Sequence, residues 1–251
     1  MAHSGLTGYW AHRRGPRGWQ SQRANTVQSL YPVKLFKLLH FHNLWLSPTP
    51  DKPSKGWDAG SERILTVGVF EHRTTSQRIA VFNTHLDNAG CRARKESVVI
   101  ILETIAKIRE QWSVRNNLGE HCPLPYLLAG DFNSFPSQET YRALAASGTM
   151  VDTYTAVRDG QRYGSEMTFT GFQPDTDEDE DEKGRIDFVW FGPQEASKTA
   201  PSSSLPLDAP IWDIQGYSVL PNVFDDGVFA SDHRAVVADA MLSITHQATA
   251  T

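Results

Sequence analysis

The sequence predicts a mixed α/β domain in which short apolar strands outnumber helices, and three observations carry that expectation. Short runs rich in Val, Ile, Leu and Phe recur between breaks that carry Gly, Pro and Ser, a pattern of strands separated by turns. One stretch differs: Val98, Ile101, Leu102, Ile105, Ile108 and Trp112 fall at three- and four-residue steps, which places them on one face of a helix. The chain has 251 residues, of which 39% are hydrophobic and 21% charged, a globular composition and a length suited to one domain. No apolar run approaches the ~20 residues that a membrane-spanning helix needs.

Taken in order, residues 1–30 form a leader rich in Gly, Arg and Trp with neither helical nor strand period. A flexible leader suits it best; an Arg-rich, acid-poor organellar transit segment is the lesser alternative, since the Trp and Gly content and the missing amphipathic pattern count against it. Val33 to Leu39 and Phe41 to Leu46 read as two short strands, and the three prolines of Ser47 to Gly60 mark a loop. Ile64 to Phe70 and Arg78 to Thr84 read as the arms of a hairpin joined by the polar turn Glu71 to Gln77. The amphipathic helix follows, then a buried strand from Pro125 to Ala129. Ser137 is placed to cap a second helix that runs through Ala146, with Gly148 suited to end it. Ile186 to Phe191, Ile211 to Leu220 and Ala235 to Leu242 complete the strands. Between them, seven of the eight residues from Asp175 to Glu182 are acidic, a solvated loop rather than a cation site, because adjacent carboxylates repel.

Charge and cysteine content narrow the function classes. Residues 1–50 hold six basic groups and no acid, whereas the remaining 201 hold 18 basic and 29 acidic groups. That balance argues against a protein that coats nucleic acid through a broad basic face. It leaves room for a charged substrate held by a cation. Cys91 and Cys122 lack metal-ligand spacing and are too few for a disulfide scaffold, so a reducing, cytoplasmic setting is the default, with secretion left open.

Four polar strings stand at the ends or starts of these strands. Asn83-Thr84-His85-Leu86-Asp87 closes one strand; a lone histidine there is more often structural than catalytic. Gly130-Asp131-Phe132-Asn133-Ser134 closes another, with Gly130 allowing the chain to turn and Asp131 and Asn133 two residues apart on one side. Such a pair suits a base and a water-orienting amide, and equally suits an Asx turn. Arg185-Ile186-Asp187-Phe188 and Ser231-Asp232-His233-Arg234 each place acids before an apolar run. A carboxylate that orients a histidine is what acid or charge-stabilising work at phosphorus requires.

Together, and in this order, NTHLD, GDFNS, RIDFV and SDHRAV resemble the endonuclease/exonuclease/phosphatase superfamily, and Thr168 to Phe172 before RID fits the same pattern. The resemblance spans Tyr31 to Leu242 and is nearest to uncharacterised fungal-type members. It implies two packed, mainly antiparallel sheets flanked by helices, a four-layer α/β/β/α sandwich occupying residues 31–245, with 246–251 as a tail. It implies that Asp131 activates water, Asn133 orients that water or the phosphate, and His233 stabilises the phosphate while held by Asp187. His85 would contact a phosphate oxygen and Asp232 would lie at the metal, which is Mg²⁺ or, alternatively, Mn²⁺. Arg94, with Arg92 and Lys95, is placed either to meet a phosphate-rich substrate or to form the solvated first turn of the helix; the latter is favoured.

The substrate implied is a phosphate-containing molecule: nucleic acid, a phospholipid head group, or a sugar or inositol phosphate. The chain is expected to act as a monomer without a membrane span. One departure stands out. The family draws an Asn and a metal-binding Glu from two earlier strands, and the 30 residues before Tyr31 contain no acid. Asn25 and Gln28 lie in a stretch without strand pattern, and Asp58 and Glu62 are the nearest alternative carboxylates. The expectation is therefore a phosphoesterase fold lacking its first strands, as a truncated product would be, with a catalytically impaired binding protein as the alternative.

Overall fold

Ten residues that alternate apolar and polar, Phe36–Trp45, make the first strand, β1. The sequence suggests two strands here; the structure has one, with a bulge between Leu38 and His40. An extra residue shifts the alternation by one, which is why the pattern reads as a break. This computed structural model describes residues 29–115, 121–172, 183–194, 211–223 and 225–243. Most of the leader, the acidic run from Asp175 to Glu182 and the tail lie outside them.

β2 (Ile64–His72) and β3 (Arg78–His85) pair antiparallel as the expected hairpin. Helix α1 extends over Cys91–Trp112, seven residues earlier than its apolar stripe begins. Two short strands, β4 (Val114–Arg115) and β5 (His121–Cys122), lead to β6 (Tyr126–Asp131). Helix α2 (Glu139–Ala146), β7 (Val151–Asp152) and the single turn α3 (Thr153–Ala156) follow. The chain then passes through β8 (Arg162–Gly164), β9 (Asp187–Gly192), β10 (Ile211–Val219) and β11 (Val236–Ser243). Ser137 does not cap α2: Gln138 holds the cap position and its side-chain oxygen accepts from Phe135 N–H at 2.8 Å. Gly148, at φ +63°, ends that segment as expected.

Among the described residues the larger sheet has the order β1-β2-β3-β6-β9-β7, and a second has the order β11-β10-β8. In the larger sheet only β3 and β6 are parallel; a parallel neighbour needs a long crossover, and α1 supplies it. The apolar stripe of α1, with Val98, Ile101, Ile105 and Ile108 buried, packs in one cluster with Leu65, Val67, Val69, Phe82, Tyr126 and Leu128 of the sheet. The second sheet is tied to β9 where Trp212 packs at a tilt against Phe191, 4.7 Å between ring centroids, and its indole N–H donates to Gly192 O at 2.9 Å. The mixed α/β class with two sheets and few helices is thus the one expected. No described helix is long and apolar enough to cross a membrane.

Candidate active site

Strand pairing alone brings three polar residues into a row. His85, the last residue of β3, is the register partner of Asp131, the last of β6. Asp131 is in turn the partner of Asp187, the first residue of β9. Residues directly opposite one another in a sheet project from the same face. Three sequence strings far apart in the chain therefore contribute one side chain each to a single rung.

The turn after β6 depends on Gly130. Its φ is +149°, and a Cβ there would lie 1.9 Å from Thr84 O, so no other residue fits. Asn133 adopts φ +45°, a left-handed conformation that Asn tolerates better than most residues. Its backbone N–H donates to Asp131 Oδ1 at 2.8 Å. Its side-chain nitrogen donates to Leu86 O at 2.9 Å and lies 3.4 Å from Asp131 Oδ2. The Asx turn and the shared orientation of Asp131 and Asn133 thus coexist.

His233 reaches the rung from the loop before β11. That loop is pinned by Thr170 and Gly171, whose N–H groups donate to Asp232 O, and by Arg234 N–H donating to Thr168 O. Buried Asn222 ties the same loop through Thr170 Oγ1 and Ser231 O. Thr168 Oγ1 accepts from Ile186 and Asp187 N–H, linking loop and rung. The His233 ring sits against Phe169, 5.0 Å between centroids. Its Nδ1 donates to Asp187 Oδ2 at 2.8 Å, which leaves Nε2 3.8 Å from Asp131 Oδ2. On the other side of Asp131, His85 Nε2 is 3.2 Å from the same oxygen.

The electrostatics separate the two histidines. Asp131 is pushed up to about 6, first by burial and then by the charge of Asp187. His85 falls to about 4, because burial, Arg63 and His233 all disfavour its cation. His233 is raised, chiefly by its hydrogen bond to Asp187 and against the effect of burial. Opposite shifts in neighbouring groups are how acid and base roles are divided.

Asp131, Asp187 and His233 offer ligand atoms within 4.8 Å of one another. Asp232 is outside that group among the described residues; Ser231 Oγ lies 3.3 Å from its Oδ1. The structure corrects two further expectations. Arg94 is neither in the solvated turn nor in the rung. It is buried, donating to Asp87 O at 2.9 Å and to Cys91 Sγ at 3.1 Å, so its charge serves the loop. Asp58, considered only as an alternative carboxylate, is engaged elsewhere: its carboxylate accepts from Arg92 and Ala93 N–H and caps α1. Glu62 does not join the ligand group, and Asn25 and Gln28 lie outside the described residues. Sequence reasoning passed over Arg63 and Asp87, a buried pair 3.3 Å apart, because nothing in NTHLD announces a partner 24 residues away.

Comparison with known proteins agrees with this fold. The model of the Endonuclease/Exonuclease/phosphatase family matches residues 82–233. The mannosyl-6-phosphatase of Bacteroides thetaiotaomicron VPI-5482 superposes with a TM-score of 0.64 at 28% identity, covering 84% of this chain and 69% of that one. The CCR4-Not complex 3'-5'-exoribonuclease subunit Ccr4 of Aspergillus niger is 25% identical over 92% of this chain. The Ccr4 subunit of Yarrowia lipolytica is 28% identical over 52% of it. The aligned part spans 40% and 22% of those two subunits respectively.

Proposed function

Because the chain belongs to the Endonuclease/Exonuclease/phosphatase family, we propose that it hydrolyses a phosphoester at the rung formed by His85, Asp131 and Asp187 with His233 beside it. The observation that carries this reading is the 2.8 Å contact between His233 Nδ1 and Asp187 Oδ2, with Nε2 turned towards Asp131. Asp131 stays largely ionised at neutral pH and is the base that takes a proton from water. Asn133 orients that water through its amide. His233, whose cation the hydrogen bond to Asp187 favours, offers Nε2–H to a phosphate oxygen, while neutral His85 donates from the opposite side.

The donor set fits a divalent cation. Burial first, and then the charge of Asp187, raise Asp131, and paired oxygen ligands of this kind suit Mg²⁺ or Mn²⁺. Asp131 and Asp187 would hold the ion, with Asp232 at its edge through water. The cation would neutralise charge that develops on the phosphoryl oxygens.

The mannosyl-6-phosphatase and the exoribonuclease subunits support two substrate classes, a sugar phosphate and a nucleic acid; a phospholipid head group is the third candidate. The chain acts as a monomer in this reading. Hydrolysis of bis-p-nitrophenyl phosphate, mannose 6-phosphate and oligoadenylate, with and without Mg²⁺, tests it alongside Asp131→Asn. Cation-dependent turnover lost in the variant is the expected result. A folded chain that binds phosphate and turns over none of them would instead support the binding-protein alternative.

A further inference from the structure

The turn between β3 and α1 is clamped from two sides by carboxylates that the rung does not contain. Asp87 is 2% exposed. It accepts from the backbone N–H groups of Gly60, Ser61 and Ala89 at 3.0 Å each and of Gly90 at 2.8 Å. Arg63 Nε adds a fifth donor at 3.3 Å, and Arg63 Nη2 reaches Asn88 Oδ1 at 3.2 Å. The opposite loop reciprocates, since Asp58 accepts from Arg92 N–H at 3.2 Å and Ala93 N–H at 2.7 Å. Gly90 allows this approach: a Cβ there would lie 2.8 Å from Asp58 Oδ1. Arg94 fixes the backbone of Asp87 by donating to its carbonyl.

One residue earlier, Leu86 is fully buried and joins this clamp to the active site. Its N–H donates to Asp131 O at 2.8 Å, and its carbonyl accepts from Asn133 Nδ2 at 2.9 Å. Leu86 O and Asp131 Oδ2 are both acceptors, so the amide nitrogen must face them and Asn133 Oδ1 is the acceptor left for a ligand. The side-chain orientation of Asn133 is therefore set by a carbonyl whose position depends on Asp87.

We infer that Asp87, with Arg63, is a positioning residue for Asn133: the clamp holds the Leu86 carbonyl where it fixes the amide at the reacting centre. The inference rests on the hydrolytic reading of that centre, but it has a readout of its own. Asp87 touches neither Asp131 nor Asn133, so a purely structural residue there would affect stability and leave the amide and the turnover number of folded protein unchanged.

The test is Asp87→Asn in the full chain, which keeps the side chain's shape and sets an amide NH₂ among donors. Two quantities are measured on folded protein: kcat and KM for bis-p-nitrophenyl phosphate, and hydrogen exchange of the Asn133 side-chain amide by ¹⁵N NMR. The expected results are a kcat lower by about 10- to 100-fold, as for other residues that orient ligands indirectly, with KM retained, and faster exchange of the Asn133 amide. Arg63→Lys should show the same pattern more weakly than Arg63→Met, which gives the answer if Asp87→Asn does not fold. A folded Asp87→Asn with wild-type exchange at Asn133 overturns the inference, whatever its melting temperature. If the wild-type chain has no turnover, the hydrolytic reading fails and the Asn133 amide alone decides whether the clamp positions it.

Discussion

Replacing Asp187 by Asn tests the central contact of the site with little change in shape. The substitution removes a carboxylate that accepts from His233 Nδ1 at 2.8 Å, with the two side chains only 20% and 27% exposed. A hydrogen bond to a charged group in such a place contributes about 1.5–3 kcal/mol. If that is lost from the transition state, kcat/KM falls by roughly one to two powers of ten. The sign of the pH effect follows from the same contact. His233 is raised above its ordinary value mainly by Asp187, so its titration midpoint must fall in Asp187→Asn, and less of it is protonated at neutral pH. The stability the pair supplies is fully present below the unfolded midpoint, about 6.5, and is lost as pH rises through the folded one. Two assays read this out: the Cε1–H shift of His233 against pH, and denaturant unfolding of both proteins at low and high pH. A folded Asp187→Asn in which His233 titrates as in the wild type would refute the reasoning, because the dominant cause of the shift would then be absent.

Other consequences are independent of that contact. In one NMR titration of the wild type without metal, His85 should remain neutral until about pH 4, while His233 titrates above its ordinary value; coincident midpoints would contradict the division of roles. Gly130→Ala should cost at least ~1–3 kcal/mol of unfolding free energy through backbone strain alone, with the Thr84 O clash added. Gly148→Ala, where nothing lies within 4 Å, should cost no more than about 1–2 kcal/mol; equal losses at the two sites would argue against the close approach. Asp87 is held well below the usual carboxylate range by four backbone N–H groups that outweigh its burial. The stability it contributes is present above its unfolded value, about 3.9, and lost as pH falls towards the folded one. The stability gap between wild type and Asp87→Asn should therefore narrow on acidification, and a gap that is constant down to pH 2 would count against the clamp.

The strands were legible in the sequence because each is a short apolar run whose neighbours change texture, and the rung was legible because its members sit at the ends of those runs. The β1 bulge was hidden, since one inserted residue looks like a gap between two strands. The cap of α2 was misassigned because Ser137 and Gln138 are neighbours that both offer a side-chain oxygen; the helix starts one residue later than expected, and the Gln138 oxygen turns back to Phe135 N–H instead of capping it. Arg94 and Asp58 were misplaced for a deeper reason. A charged residue in a local window reads as solvated, whereas here Arg94 turns back onto the Asp87 carbonyl seven residues earlier and is buried there, and Asp58 is bound by a helix start 34 residues on. Arg63 escaped for the same reason: the run from Ile64 to Phe70 predicts a strand, and nothing in it states that the preceding arginine is buried against Asp87.

The four motifs differ in how firmly the fold holds them, and that difference bears on the chemistry. His85, Asp131 and Asp187 are register partners across three strands, so moving one relative to the others would require a slip that turns every side chain of that strand to the opposite face. Their spacing is fixed by the same pairing that buries Phe82, Leu128 and Phe188. His233 lies outside that sheet; it is held by an isolated antiparallel bridge to Phe169 and by loop ties through Thr168, Thr170 and Asn222 rather than through an extended ladder. Its position against Asp187 is accordingly defined by that short bridge together with side-chain hydrogen bonds, not by the larger sheet. Substitutions in those ties should disturb the histidine while leaving the carboxylates in place, whereas Gly130 and the core residues of β6 and β9 support the rung itself.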